Sequence, residues 1–130
     1  MKRRDFEYYN CEWRKAALQT IDVKYESRVS VLRNNRGVDR YRKIATLIGE
    51  KYPDMIDRFA ENMSDEIEGI RLRAAVCLIE LMPHTRDHLS KAKAVIADHL
   101  AYYLTEPDLG WKWWLSQPWA EESNCTDYIE

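Results

Sequence analysis

Two histidines and their neighbours are the residues that could hold a metal ion. His84 and His88 stand four residues apart, with Glu80 and Asp87 close by, and imidazole nitrogens with carboxylate oxygens are typical zinc ligands. Pro83 directly precedes His84, so the pair spans the start of a helix and does not share one helical face. Since a zinc site needs at least three converging ligands, we expect a helix cap and surface histidines here, with no metal bound.

Motifs for nucleophilic or phosphate chemistry are missing from the sequence. It contains no GxSxG, its four glycines are isolated, and no cysteine has a histidine close by in sequence. Cys11, Cys77 and Cys125 lie far apart without a CxxC pair, so we interpret each as a reduced thiol and Cys77 as a small core residue. We therefore expect no enzymatic activity and no cofactor; a small enzyme built from spatially adjacent groups is the third alternative.

A basic stretch, "RNNRGVDRYRK" at 33–43, could neutralise phosphates. Its asparagines could reach bases, and the groups that could contact nucleic acid are Arg33, Arg36, Arg40, Arg42 and Lys43. The isoelectric point near 6.0 and the acidic second half of the chain oppose the approach of a polyanion. Residues 1–51 carry 13 Lys and Arg against 7 Asp and Glu, whereas residues 52–130 carry 7 against 15. We expect a solvated loop here, and nucleic-acid binding is the alternative.

Tryptophan is concentrated near the C-terminal end of the chain. Four of the five tryptophans lie within residues 108–122, and acidic residues surround them. Trp113 and Trp114 are consecutive and cannot share one face in regular structure, so we expect a segment that is partly a cap over the core and partly an exposed patch. The residues that would contact a basic partner here are Asp108, Trp111, Trp113, Trp114, Glu121 and Glu122.

Length and composition favour one helical domain. The chain has 130 residues, 45% of them hydrophobic and 32% charged, with only four Gly and four Pro. The opening MKRR is followed by charged residues, and no run of about 18 apolar residues could cross a membrane, so we expect a cytoplasmic protein. We divide the single domain into N-terminal helices at 1–37, a central helical region at 38–105 and the Trp-rich acidic segment at 106–130.

Hydrophobic periodicity in the N-terminal half predicts three helices. The first carries an apolar face at three- and four-residue steps, made of Phe6, Tyr9, Trp13, Ala17 and Ile21. A shorter second helix carries Tyr25, Val29 and Leu32, and "NNRG" at 34–37 is predicted to end it. A third helix then runs from 38 to Tyr52, before Pro53.

Three further helices are predicted in the C-terminal half. Pro53 suits the first position of a fourth, "PDMIDRFAENM", and Ser64 suits the N-cap of a fifth. The fifth is apolar on two sides, so we expect it to pack between neighbours. One stripe is formed by Ile67, Ile70, Ala74, Leu78 and Leu81, and the other by Leu72, Val76 and Ile79. Thr85 or Asp87 can cap a sixth helix that continues to Leu104.

The fifth helix, "EIEGIRLRAAVCLIELM" at 66–82, resembles the inner helix of HEAT-like repeats. The core from Arg71 to Ala75, the proline two residues after Leu81 and the further helix at 88–105 fit one such unit. The chain is similar to small bacterial helical proteins, some of which serve as immunity proteins against secreted or contact-delivered toxins, often nucleases. The resemblance implies an all-α fold of about six helices stacked as HEAT-like antiparallel pairs.

The leading hypothesis is a non-enzymatic immunity protein of a contact-dependent growth inhibition system, which occludes the active site of a basic toxin nuclease. Its carboxylates would meet the lysines and arginines of the toxin, with Trp113 or Trp114 as an apolar anchor. A homo-oligomer joined by the Trp-rich segment is also open. The carboxylates expected to contact the toxin, besides those of the C-terminal segment, are Asp54, Asp57, Glu61, Asp65 and Glu68.

Overall fold

The computed structural model describes residues 4–21, 27–102 and 125–126, and within these ranges the chain is helical and contains no strand. No described helix combines the length and apolar character needed to cross a bilayer. Two short 3-10 helices, Pro53–Met55 and Glu61–Ser64, flank the third α-helix. The α-helices are α1 Phe6–Leu18, α2 Arg28–Lys51, α3 Ile56–Ala60, α4 Glu68–Leu81 and α5 Arg86–Tyr102.

Helix α1 confirms the predicted amphipathic N-terminal helix as far as Leu18, and Ile21 of the predicted apolar face lies beyond its end. The Asp5 carboxylate accepts a hydrogen bond from the Tyr8 backbone N–H at 3.1 Å and caps the first turn. Phe6, Trp13 and Ala17 are buried, as the spacing predicts. The apolar face therefore directs α1 onto the rest of the domain.

Helix α2 is one continuous helix of 24 residues and replaces the two that were predicted. The prediction that "NNRG" ends a helix at 34–37 is wrong, and so is the loop expected for the basic stretch. The reason lies in the packing of Gly37, which faces α1. A Cβ atom on Gly37 would lie 2.9 Å from Cγ2 of Thr20 and 3.0 Å from the backbone oxygen of Ala16. Glycine therefore permits a close approach of two helices here and does not mark a helix end.

The segment between α2 and α4 differs from the single helix predicted over 53–63. Pro53 does begin a helical element, but the turns on either side of α3 are tightened to 3-10 geometry. The prediction that Ser64 caps the following helix is wrong, because Ser64 ends the second 3-10 helix and α4 begins at Glu68. The Asp65 carboxylate instead accepts a hydrogen bond from the Ile67 backbone N–H at 2.9 Å.

Helix α4 lies at the centre of the described fold. It packs against α1, α2, α3 and α5, and residues of both predicted stripes are buried or half-buried. The expectation of a helix between neighbours is thus confirmed, with Ile67 just before α4 as an exposed exception at 37%. Because α2 and α5 make few contacts with each other, α4 separates them.

Helix α5 begins with a reciprocal cap. The Thr85 hydroxyl accepts a hydrogen bond from the His88 N–H at 3.1 Å, and the Thr85 N–H donates to Nδ1 of His88 at 3.0 Å. Thr85 is therefore the cap that the sequence allowed. Leu89, Ala92 and Ile96 are buried on the face that α5 turns to α4.

Candidate functional site

An open groove runs between α5 and the elements from α3 to the start of α4. Two hollows of about 540 and 270 Å³ adjoin each other and share Met63 and Val95. Their walls carry more carboxylates than cations, which are Lys91 and Arg71. We call this surface the acidic groove, and its five carboxylates are Asp57, Glu61, Glu68, Asp87 and Asp98.

Exposed carboxylates dominate the wider part of the acidic groove. The side chains of Asp57, Glu61 and Asp87 are 92%, 64% and 72% exposed. Glu61 pairs with Arg58 at 2.6 Å, and Asp87 pairs with Lys91 at 3.2 Å. Exposed pairs of this kind are worth little, about 0–1 kcal/mol. The carboxylates can therefore exchange these local cations for those of a partner.

His88 forms the floor of the acidic groove and is almost fully buried, at 4% exposure. Its Nδ1 accepts the Thr85 N–H, so a neutral ring carries its proton on Nε2. That nitrogen lies 2.7 Å from Oδ1 of Asp57 and donates to it. One oxygen of Asp57 is thereby oriented, and the carboxylate keeps most of its surface open to solvent.

A second histidine of α5 joins a carboxylate of α4. Nδ1 of His99 lies 2.5 Å from Oε1 of Glu68, and both side chains are half-buried in the narrower hollow. Glu68 lies 31 residues away in sequence. The two histidines of α5 therefore attach this helix to α3 and to α4, at opposite ends of the acidic groove.

His84 and His88 are buried, and the expectation of surface histidines is wrong. Nδ1 of His84 lies 3.0 Å from the Met82 carbonyl oxygen, so it carries a proton, and Nε2 has no hydrogen-bond partner among the described residues. The two rings cap and fill the start of α5. No group of three possible metal ligands occurs in the described part of the chain.

The structure brings three of the predicted acidic residues, Asp57, Glu61 and Glu68, into one groove. Asp54 is exposed and lines a smaller adjoining hollow of about 160 Å³ that Asp57 shares. Asp87 belongs to the same groove, although the sequence indicated it only as a possible cap and as a neighbour of the two histidines. Asp98 was missed, although its spacing of eleven residues from Asp87 places both on one face of a helix.

Asp65 is occupied within the chain. Its carboxylate accepts hydrogen bonds from Nε and Nη2 of Arg14 at 2.9 and 3.3 Å, and its backbone oxygen accepts one from Arg71 at 2.8 Å. The Arg14 guanidinium holds the pKa of the Asp65 carboxyl below its usual value. Asp65 therefore ties α1 to the start of α4.

We expect Asp65→Asn to lower stability at neutral pH by about 1 kcal/mol, because the ion pair is partly exposed. Because the carboxyl pKa is lower in the folded than in the unfolded protein, the ionised group stabilises the fold at pH values above its unfolded pKa of about 3.9. This stabilisation is lost as the pH falls through the folded pKa. The stability gap between variant and wild type should therefore close in acid. Urea denaturation at several pH values measures it, with the exposed Asp39→Asn as the control. A gap that stays constant down to pH 3 would contradict this role.

The residues of the predicted basic stretch do not all share one face. Arg33, Arg36 and Lys43 are exposed on α2, and Arg40 is exposed beside them and pairs with Glu12 at 2.5 Å. We call these four residues the basic stripe. Arg42 lies outside it, because it is half-buried and bonds Glu80 of α4 at 3.1 Å.

Comparison of the chain with models of protein families, with curated proteins and with solved structures finds no match. The predicted contacts that lie outside the described residues are Asp108, Trp111, Trp113, Trp114, Glu121 and Glu122.

Proposed function

We propose that this protein is a non-enzymatic binding protein whose acidic groove receives a basic surface of another protein. In its most specific form it is a cytoplasmic immunity protein that neutralises a bacterial toxin nuclease by occluding the active site. Nucleases present lysine and arginine to the phosphates of their substrate. An acidic surface that takes the place of those phosphates would block substrate entry.

The observation that carries this proposal is the placement of the carboxylates. Asp87 and Asp98 lie eleven residues apart on α5, or about 16 Å along the helix, and Asp57, Glu61 and Glu68 face them from the other wall. Complementary charge of this kind accelerates association and excludes wrong partners. Met63 and Val95 supply an apolar floor where the two hollows join.

The resemblance of the α4 sequence to HEAT-like inner helices supports the specific form of the proposal. We propose that α4 and α5 form one HEAT-like pair, with the acidic groove along its edge. The two helices pack together closely over a connection of four residues. In the toxin complex, the Trp-rich segment would add the apolar anchor that hot spots require.

Neutralising the groove tests this proposal. We expect Glu61→Gln with Asp98→Asn to weaken binding by about 10- to 30-fold, at roughly 1 kcal/mol for each carboxylate. The partner tested is the protein encoded by the adjacent gene, and the readouts are its dissociation constant and its residual nuclease activity. A matched control, Glu50→Gln with Glu66→Gln, removes two exposed charges outside the groove lining. Equal effects of the two double variants, or an uninhibited nuclease, would contradict the proposal.

Nucleic-acid binding by α2 is the second candidate function. It is favoured by the continuity of α2, which places the basic stripe on one helix face at spacings of three and four residues. We expect Arg33→Gln with Arg36→Gln to abolish any binding to a labelled DNA duplex at low salt. If the double variant still binds the duplex, the basic stripe is not the nucleic-acid-binding surface.

A further inference from the structure

The basic stripe and the acidic groove are complementary surfaces on one molecule. Next to the stripe, towards the start of α2, Val29 is 77% exposed and Leu32 is 45% exposed. A partner that covers the basic stripe could also remove part of this apolar surface from water. The neighbouring Asp39 is the one exposed acid of α2 that interrupts the positive charge between Arg33 and Lys43.

The two surfaces also match in length. Arg33 and Lys43 are ten residues apart on α2, which corresponds to about 15 Å along the helix axis. The carboxylates of α5 span about 16 Å from Asp87 to Asp98. A helix laid along an open groove is a common form of protein recognition, and here cations and carboxylates would repeat over the same distance.

We propose that the basic stripe of one copy docks in the acidic groove of a second copy. The contact is head-to-tail, since each copy offers a different surface, and α4 separates α2 from α5 within one molecule. One copy therefore cannot close both surfaces on itself, and the association either closes into a ring of copies or continues from copy to copy. This inference rests on the proposed role of the groove as a binding surface for basic segments.

Self-association of this kind depends on concentration and on salt. Sedimentation velocity of the full chain should show a weight-average sedimentation coefficient that rises with protein concentration. The rise should shrink when NaCl is raised from about 50 to about 200 mM, because exposed charges are screened. A sedimentation coefficient that stays at the monomer value over the whole concentration range would overturn the inference.

Two neutralised variants give the decisive experiment. The stripe variant, Arg33→Gln with Arg36→Gln, keeps its groove, and the groove variant, Glu61→Gln with Asp98→Asn, keeps its stripe. Each should be monomeric alone, at a concentration where the wild type associates. Their equimolar mixture should form a heterodimer and nothing larger, because only one intact stripe meets one intact groove. Helical circular dichroism confirms that each variant is folded, and Glu50→Gln with Glu66→Gln should associate like the wild type.

The outcomes separate this inference from the proposed function. Association that persists in the stripe variant, or a mixture that stays monomeric, overturns head-to-tail docking. A groove that binds the toxin while the wild type remains a monomer overturns the self-association alone. A heterodimer formed in the mixture supports head-to-tail docking even if the toxin does not bind, because the mixture contains only variants of this protein.

Discussion

Replacing Trp13 with alanine is expected to lower the free energy of unfolding by about 4 kcal/mol. Trp13 is fully buried, at 0% exposure, and its indole lies edge-on to the rings of Phe59 and Tyr41, with centroid distances of 4.9 and 6.3 Å. These contacts join α1 to α3 and α2. Removal of the side chain leaves a cavity where three elements meet, and such cavities collapse only in part.

Urea denaturation followed by circular dichroism at 222 nm measures this effect. Leu18→Ala is the control on the same helix, since Leu18 is 36% exposed and should cost less than about 1 kcal/mol. Trp13→Phe keeps an aromatic ring at the site and should lose less than Trp13→Ala, which provides a folded variant if the alanine protein does not fold. A loss below about 1.5 kcal/mol for Trp13→Ala would mean that the contacts between the three elements are not the main source of stability there.

The second large effect is expected at Arg73, whose replacement by methionine should cost about 3 kcal/mol. The Arg73 guanidinium donates to the hydroxyl oxygen of Thr20, to the Thr20 backbone oxygen at 2.9 Å and to the Gly69 backbone oxygen at 3.0 Å. Thr20 is buried just after the end of α1, where backbone oxygens lack helical partners. Methionine fills similar space but removes the donor from both Thr20 oxygens.

Arg73→Lys tests whether the stabilisation comes from the planar arrangement of the guanidinium donors or from the positive charge alone. Lysine keeps the positive charge but cannot supply the planar fork of donors, so most of the loss in unfolding free energy should remain. Arg33→Met removes an exposed arginine of α2 and should change stability by no more than about 0.5 kcal/mol. If Arg73→Lys were as stable as wild type, a single charge–carbonyl contact would explain the role of Arg73.

Helix faces could be predicted from the sequence, whereas helix ends could be predicted only in part. Phe6, Trp13 and Ala17 follow the helical period and are buried as expected. The end predicted at "NNRG" failed because glycine has two uses that look alike in a sequence. At Gly37 the decisive contact is with Thr20 of the preceding segment, and no local pattern around 34–37 reveals it.

The candidate site could likewise be predicted only in part, because its residue types are visible in the sequence but their partners lie far away along the chain. The acidic residues around 54–68 could be predicted from charge, and three of them line the groove. The partners of Asp57 and Glu68 could not, since each pairs with a histidine 31 residues away. Asp65 is also an acidic residue of this stretch, but its carboxylate bonds Arg14, and this bond depends on how α1 packs. Residue type predicts where a carboxylate can act, and tertiary packing decides which carboxylates remain open.

The different burial of the three cysteines allows unfolding of the core to be followed by thiol labelling. Cys11 is exposed on α1, whereas Cys77 and Cys125 are buried. Burial raises the pKa of the Cys77 thiol to about 12, so almost no thiolate is present there at neutral pH. A maleimide dye should therefore label Cys11 at once in the native protein and reach Cys77 only when α4 is exposed by unfolding. The rate of the slow labelling phase would then report how often the core opens, without any engineered probe.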